Sequence, residues 1–279
     1  MRVEDCIVAV ERRTAGQNFD LACMLLRHHR APVFQLWLLN AIPSCVLVWL
    51  YSSNSTDSLI PSLLIFLLFC SMFNAQLVAG LGPLVFGESF SPRRSIQRWR
   101  KRFWGWAFLT LVIRIGQILA AFLLLFPSLM VTAQSGHMNE VLLLEQSPLK
   151  KSFSRLSWLT QAGGYGRNMA SLTTLTMFWL ALSGGIFVII DVMVGTLLNY
   201  PLFLGRIFSE TGNSAAGASS ILIDSPEFLT LLQGSLWAGW PLIRIAWFFC
   251  YLDQRIRSEC WDLQVQFRAE AVRLEGATG

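Results

Sequence analysis

Five apolar runs, at residues 32–51, 59–84, 103–126, 172–198 and 228–251, constrain this chain more than any other feature. About 20 apolar residues at ~1.5 Å rise cross a hydrocarbon layer of about 30 Å. Lipid offers no hydrogen bonds, so each crossing segment must satisfy its own backbone as a helix. Composition places the runs in a bilayer rather than in a soluble core. Of 279 residues, 54% are hydrophobic and 14% charged, against about 45–50% and about 25% in soluble domains. The expected fold is all-α, a polytopic transmembrane bundle over 31–251. A cytoplasmic segment with an interfacial amphipathic helix (1–30) precedes it, and a charged cytoplasmic helix (252–279) follows.

A sixth crossing is decided by charge. Residues 128–145 are long enough for about 27 Å of helix, yet Gln134, His137, Asn139 and Glu140 make them too polar to face lipid. If they cross, residues 1–30, 88–102, 146–168 and 252–279 share one side. Those segments hold five, six, four and four Lys or Arg, 19 of the chain's 22, and the opposite side holds only Arg206. The positive-inside rule then puts both termini in the cytoplasm, and a five-span layout would split the charge. Six spans are expected, with 128–145 either a full crossing or re-entrant. The net charge of +5 follows the same logic. Its arginines flank apolar runs, so membrane lipids are the expected partners, with other membrane proteins or a second copy of the chain, and nucleic acid is not. The opening MRVEDCIVAVERR lacks a signal-peptide apolar region, so the first span is expected to act as an uncleaved insertion signal.

Ionisable residues at membrane depth cost at least about 2.5–3.5 kcal/mol on insertion scales, so they pair or face water. The candidates are Arg114, His137, Glu140, Asp191 and Arg244. They read either as an ion, proton or solute path, or as ion pairs locking helices together. Pro127 marks the expected turn after the third span, with Arg114 and Glu140 each 13 residues from it. Two antiparallel helices leaving that turn place both about 20 Å away, at one depth. The spacing predicts that they pair, with His137 adding a hydrogen bond and Asp191 the rival acid. Small residues four apart, Ala181 with Gly185 and Gly234 with Ala238, predict a close contact between the last two long helices. In the tail, Asp253 with Arg257 and Arg255 with Glu259 are i,i+4 pairs that extend the last span as a salt-bridged helix. That helix reads equally as a docking surface or a solvated end.

Near the start, Thr14 and Gln17 have capping-box spacing, and Phe19, Ala22, Cys23 and Leu26 share a stripe. His28 and His29 point about 100° apart on a helix and share a metal poorly. The six cysteines form no CxxC pair, so neither a disulfide framework nor zinc is suggested. GxSxG, HExxH and a P-loop are absent from the sequence, and GGYGR at 163–167 reads as a flexible turn. No enzyme activity, cofactor or metal is expected.

Three stretches carry a resemblance. They are LLLEQSPLKKSFSRLSWLT with Glu145, Pro148, Ser152 and Leu156, the tail Tyr251, Asp253, Arg255, Arg257, Glu259 and Asp262, and the opening NFDLACMLLRHHRAPVFQLW. Together they resemble the bacterial glycerophosphoryl diester phosphodiesterase membrane-domain family, although Lys150 and Lys151 depart from its pattern. The resemblance implies a six-helix bundle of the inner membrane and no chemistry, since a phosphodiesterase barrel would need about 250 further residues. The expected function is a non-enzymatic scaffold or accessory subunit of a larger envelope complex. The alternative is a transporter or channel for an ion or small polar solute.

Overall fold

The structure, a computed structural model, describes residues 11–55, 58–85, 87–123, 125–161, 164–197, 203 and 225–260, with backbone alone at 121–123, 125–126 and 149–150. Asp262 and Arg206 lie outside these residues. All regular structure among them is helical: α1 (Ala15–His28), α2 (Arg30–Ser52), α3 (Leu59–Val85), α4 (Pro92–Lys101), α5 (Phe103–Leu123), α6 (Leu125–Ser135), α7 (Met138–Leu143), α8 (Leu149–Thr160), α9 (Gly164–Leu197) and α10 (Pro226–Glu259).

Among the described residues four helices, α2, α3, α5 and α9, are long and apolar enough to cross a bilayer. Large apolar side chains stand exposed along all four, as Ile60 and Leu68 do on α3. Ile42 and Leu50 do so on α2, Phe108 and Leu119 on α5, and Met177 and Leu197 on α9. Such stripes on helices of spanning length suit a lipid environment, and the chain is a membrane-embedded helical protein. α10 has 34 residues, but Gln233, Pro241 and Arg244 lower its hydropathy.

The chain forms two compact units, one of residues 1–33, 74–175 and 244–279, the other of 34–73 and 176–243. In the first, α1 opens with the expected capping box. The Gln17 N–H donates to Thr14 Oγ1, and the Thr14 N–H donates to Gln17 Oε1 at 2.8 Å. Its buried residues are Asn18 and Ala22, while Cys23 is exposed, so the inward stripe lies on the Asn18 side of the expected one. α3 takes in Pro83 and ends at Val85, just after the GLGP sequence and within a residue of the expected limit of the second apolar run. The chain turns there at Gly87, whose φ of +87° suits glycine. The glycines before Pro83 serve close approach. A Cβ on Gly80 would meet Ser95 Oγ of α4 and Phe90, and one on Gly82 would meet Leu144.

α5 and the α6–α7 segment run antiparallel. Gln117 Nε2 donates to Thr132 Oγ1 at 2.9 Å, Trp106 Nε1 to Asn139 Oδ1 at 3.0 Å, and Arg102 Nη1 to the Leu142 carbonyl at 3.3 Å. Residues 128–145 are therefore two short helices broken at Gly136 and His137, not one continuous helix. The reversal falls between α5 and α6, before Pro127. Pro127 is the third residue of α6, in a first turn where a missing N–H breaks no helical bond.

The second unit is held by tryptophans. Pro241 has no N–H, so the Trp237 carbonyl four residues earlier loses its helical donor. Trp37 Nε1 supplies one instead, at 2.8 Å. Trp179 Nε1 likewise donates to the Leu236 carbonyl at 2.9 Å. Phe66 stacks on Trp179 with centroids 6.2 Å apart, and meets Trp237 edge-on. Gln233 and Ser44 join α10 to α2 by a side-chain hydrogen bond.

The close contact expected of Ala181, Gly185, Gly234 and Ala238 does not form. Ala181, Gly185 and Ala238 are exposed, and a Cβ on Gly185 or Gly234 would meet nothing within 4 Å. α9 and α10 touch one position further round, where a Cβ on Gly239 would lie 2.9 Å from Leu182 Cδ2 and 3.5 Å from Trp179 Cδ1. Spacing finds small residues but not which face carries the tryptophans that must be accommodated. Gly239→Leu should therefore cost about 1–3 kcal/mol by overpacking, whereas Gly185→Leu should leave the thermal midpoint in detergent nearly unchanged. Equal losses would remove this contact from the account.

Candidate functional site

Within the first unit, one face of α10 gathers the buried polar chemistry. Arg244, Trp247, Tyr251 and Arg255 follow at intervals of three, four and four, so they stack along one side of the helix. At the inner end, Arg244 Nη2 donates to Glu140 Oε1 of α7 at 2.6 Å, with side-chain exposures of 5% and 0%. One turn along, Trp247 stacks flat on His137, centroids 4.5 Å apart at 15°. Its Nε1 donates to the Gly136 carbonyl at 3.0 Å. His137 Nε2 lies 3.3 Å from Asn168 Oδ1, and Asn168 Nδ2 donates to the Ala133 carbonyl at 3.3 Å.

At the outer end the residues form an ionic knot. The Tyr251 hydroxyl donates to Glu145 Oε1 at 2.7 Å. Arg155 of α8 grips Glu145 with two nitrogens, at 2.7 and 3.4 Å, and also pairs with Glu259. Arg255 lies 2.8 Å from Glu259 and 3.6 Å from Glu145. The Arg155 guanidinium also sits 4.6 Å from the Trp158 ring centre, within cation–π range. Burial opposes the charge on Arg155, but Glu145 and Glu259 outweigh it and hold its pKa above the ordinary arginine value. Arg255 is raised in the same way: burial works against it, while Tyr251, Glu259 and Glu145 prevail. Because both values are raised, what the two charges contribute to stability is complete at any pH below the ordinary arginine pKa.

A third contact ties in the start of the chain. Asp253 Oδ1 accepts the Arg13 N–H at 2.8 Å, Arg257 Nη2 donates to the Arg13 carbonyl at 2.9 Å, and Arg257 Nε pairs with Asp253 Oδ2 at 2.8 Å. Both expected i,i+4 pairs of the tail are thus present. The four side chains are partly buried, Asp253 at 12%, Arg255 at 17%, Glu259 at 16% and Arg257 at 25% exposed.

Of the five candidates for the intramembrane cluster, the structure joins Glu140 to Arg244 and sets His137 beside them. Arg114 does not pair with Glu140. It donates to Gln117 at 2.9 Å on its own helix. With the reversal before Pro127, Arg114 stands level with residues around 130–135 and Glu140 with those around 104–105, as the Gln117–Thr132 and Trp106–Asn139 bonds require. Asp191 belongs to the other unit, where Oδ1 accepts the Phe203 N–H at 3.1 Å. The expected 163–167 turn is corrected as well: α9 begins at Gly164, which brings Asn168 into the helix and to His137. A Cβ on Gly164 would lie 2.6 Å from the Leu159 carbonyl oxygen. Reading on from Arg244 by helical spacing would have found Trp247 and Tyr251. Nothing in the sequence marked Asn168 or Gly136. Ser152, Leu156 and Leu159 are buried on α8. His28 and His29 meet edge-on at the α1–α2 junction, centroids 4.7 Å apart. Among the described residues no three of His, Cys, Asp or Glu gather as a metal site.

Chemically, the knot can hold helices together, since each carboxylate in it is paired with cations or a phenol. Arg155→Ala should leave Glu145 and Glu259 short of donors and cost about 2 kcal/mol, the scale of charge-assisted hydrogen bonds at a partly buried site. Arg155→Lys should recover only part, having the charge without the fork. Thermal unfolding in detergent reads both, and full recovery by Lys would reduce the knot to simple charge.

Compared with known protein families, with characterised proteins and with solved structures, the chain matches none.

Proposed function

We propose that this chain is a non-enzymatic multi-pass protein of the inner membrane, a scaffold or accessory subunit of a larger envelope assembly. The observation that carries this reading is the direct Glu140–Arg244 pair, in which both buried charges are spent on each other inside the fold. The knot at Glu145, Arg155, Arg255 and Glu259 spends its charges in the same way.

The topology proposed with it has six crossings and both termini cytoplasmic. α6–α7 runs back along α5 from Gln117–Thr132 to Arg102–Leu142, which supports counting that broken segment as a crossing, and α10 supplies the last. The 19 basic residues then share the cytoplasmic side. We further propose membership of the glycerophosphoryl diester phosphodiesterase membrane-domain family. In its support, Glu145 of one quoted stretch meets Tyr251 and Arg255 of the other, and Arg155 of the first pairs with Glu259 of the second.

One observation favours transport as the alternative. His137 Nδ1, Glu140 Oε2 and Arg244 Nε are buried without a protein partner, and a polar solute would satisfy them. Purification from native membranes in mild detergent separates the two readings. An accessory subunit should carry a partner at fixed stoichiometry and pass no solute after reconstitution. A partner-free chain whose vesicles show proton or solute flux, lost in Glu140→Gln, would move the assignment to transport.

A further inference from the structure

We infer that α4 is a binding face for the headgroups of anionic phospholipids. It carries Arg93, Arg94, Arg98, Arg100 and Lys101 within ten residues. At 100° per residue, Arg93, Arg94, Gln97, Arg100 and Lys101 fall within about 120° of one another. All five are exposed. The opposite face is anchored. Ser95 and Trp99 are buried, and Trp99 meets Phe103 and Trp106 edge-on at 5.2 and 5.3 Å. The bare Gly80 backbone leaves room for Ser95. α4 is thus held by one side and offers four cations on the other. Glu88, the acid that interacts with this helix among the described contacts, is taken by Arg98 at 2.7 Å.

The depth of this face identifies its ligand. α5 starts two residues after Lys101, and its Trp104 is 84% exposed at the head of an outward apolar stripe that continues through Phe108 and Leu111. An exposed tryptophan at the start of such a stripe marks the headgroup layer. The guanidinium groups immediately before it therefore lie where lipid phosphates are, with no acyl-chain barrier between. Each Lys or Arg at an anionic surface adds favourable free energy, and bidentate arginine suits a phosphodiester.

The test uses the full chain in neutral detergent, titrated with phosphatidylglycerol, phosphatidylcholine or inorganic phosphate, with bound lipid counted by native mass spectrometry. Phosphatidylglycerol should be retained over phosphatidylcholine. The variant R93Q/R94Q/R100Q/K101Q should lose at least about tenfold of that preference, with its lipid-free thermal midpoint unchanged. Raising the salt to about 0.5 M should weaken the wild-type preference. Wild-type-like retention by the quadruple variant would overturn the inference. So would displacement of the lipid by equimolar inorganic phosphate, which would mark a site for soluble anions. Should the quadruple variant fold poorly, R93Q/R94Q in the first turn is read in the same way.

Discussion

Glu140→Ala and Arg244→Ala are each expected to lower stability by about 3–5 kcal/mol, the scale of stranding one charge of a buried pair. The partner left behind has no water to turn to, since the two side chains are 0% and 5% exposed. Folded yield and the thermal midpoint in detergent should both fall steeply. Removing both charges together as Glu140→Leu with Arg244→Met should restore much of the loss, because no orphan ion remains and the replacements fill comparable space. Charge reversal then identifies the partner. Glu140→Arg with Arg244→Glu should recover folded yield, while Glu140→Arg with Arg114→Glu should not. Rescue through Arg114 instead would show that α5, not α10, holds this acid.

Gly136→Ala is expected to cost about 1–3 kcal/mol by overpacking. The new methyl would sit 2.6 Å from Trp247 Cζ2 and 2.8 Å from the Thr132 carbonyl oxygen. The indole has little freedom to retreat, because it donates to the Gly136 carbonyl and stacks on His137. Yielding would sacrifice that hydrogen bond as well, about another 1 kcal/mol. Trp247→Phe removes the clashing atom, so adding it to Gly136→Ala should cost less than the two single losses combined. Gly184→Ala is the control: its Cβ would meet nothing within 4 Å, and alanine is the better helix former. A Gly136→Ala protein that melts with the wild type would place the α6–α7 break elsewhere.

Spacing within one helix was enough for Asp253–Arg257 and Arg255–Glu259, because i,i+4 geometry is fixed by the helix itself. It was also enough for the Thr14–Gln17 cap. It was not enough for Glu140, whose partner depends on where a turn falls. Pro127 reads as a helix end, yet it is equally at home in a first turn, and the few residues between those readings moved Arg114 out of reach. The small residues of α9 and α10 failed likewise. Gly185 and Gly239 are alike as sequence, and only the position of Trp179 and Leu182 makes one of them a contact.

That the chain is helical and membrane-embedded follows from its apolar runs alone, since backbone in lipid must satisfy itself along their length. The sequence also marks which residues carry charge into the apolar region, because polarity there stands out against composition. Tertiary structure alone decided how those charges pair. The Glu140–Arg244 bond joins residues 104 positions apart, and Arg155–Glu259 joins another such pair. The rotation of each helix about its axis and the residue at which the chain reverses set such contacts, and neither is encoded in local periodicity. A helix fixes its own neighbours at three and four residues. Between helices, hydrophobic burial drives little in lipid, so packing fit and polar pairing choose the partner.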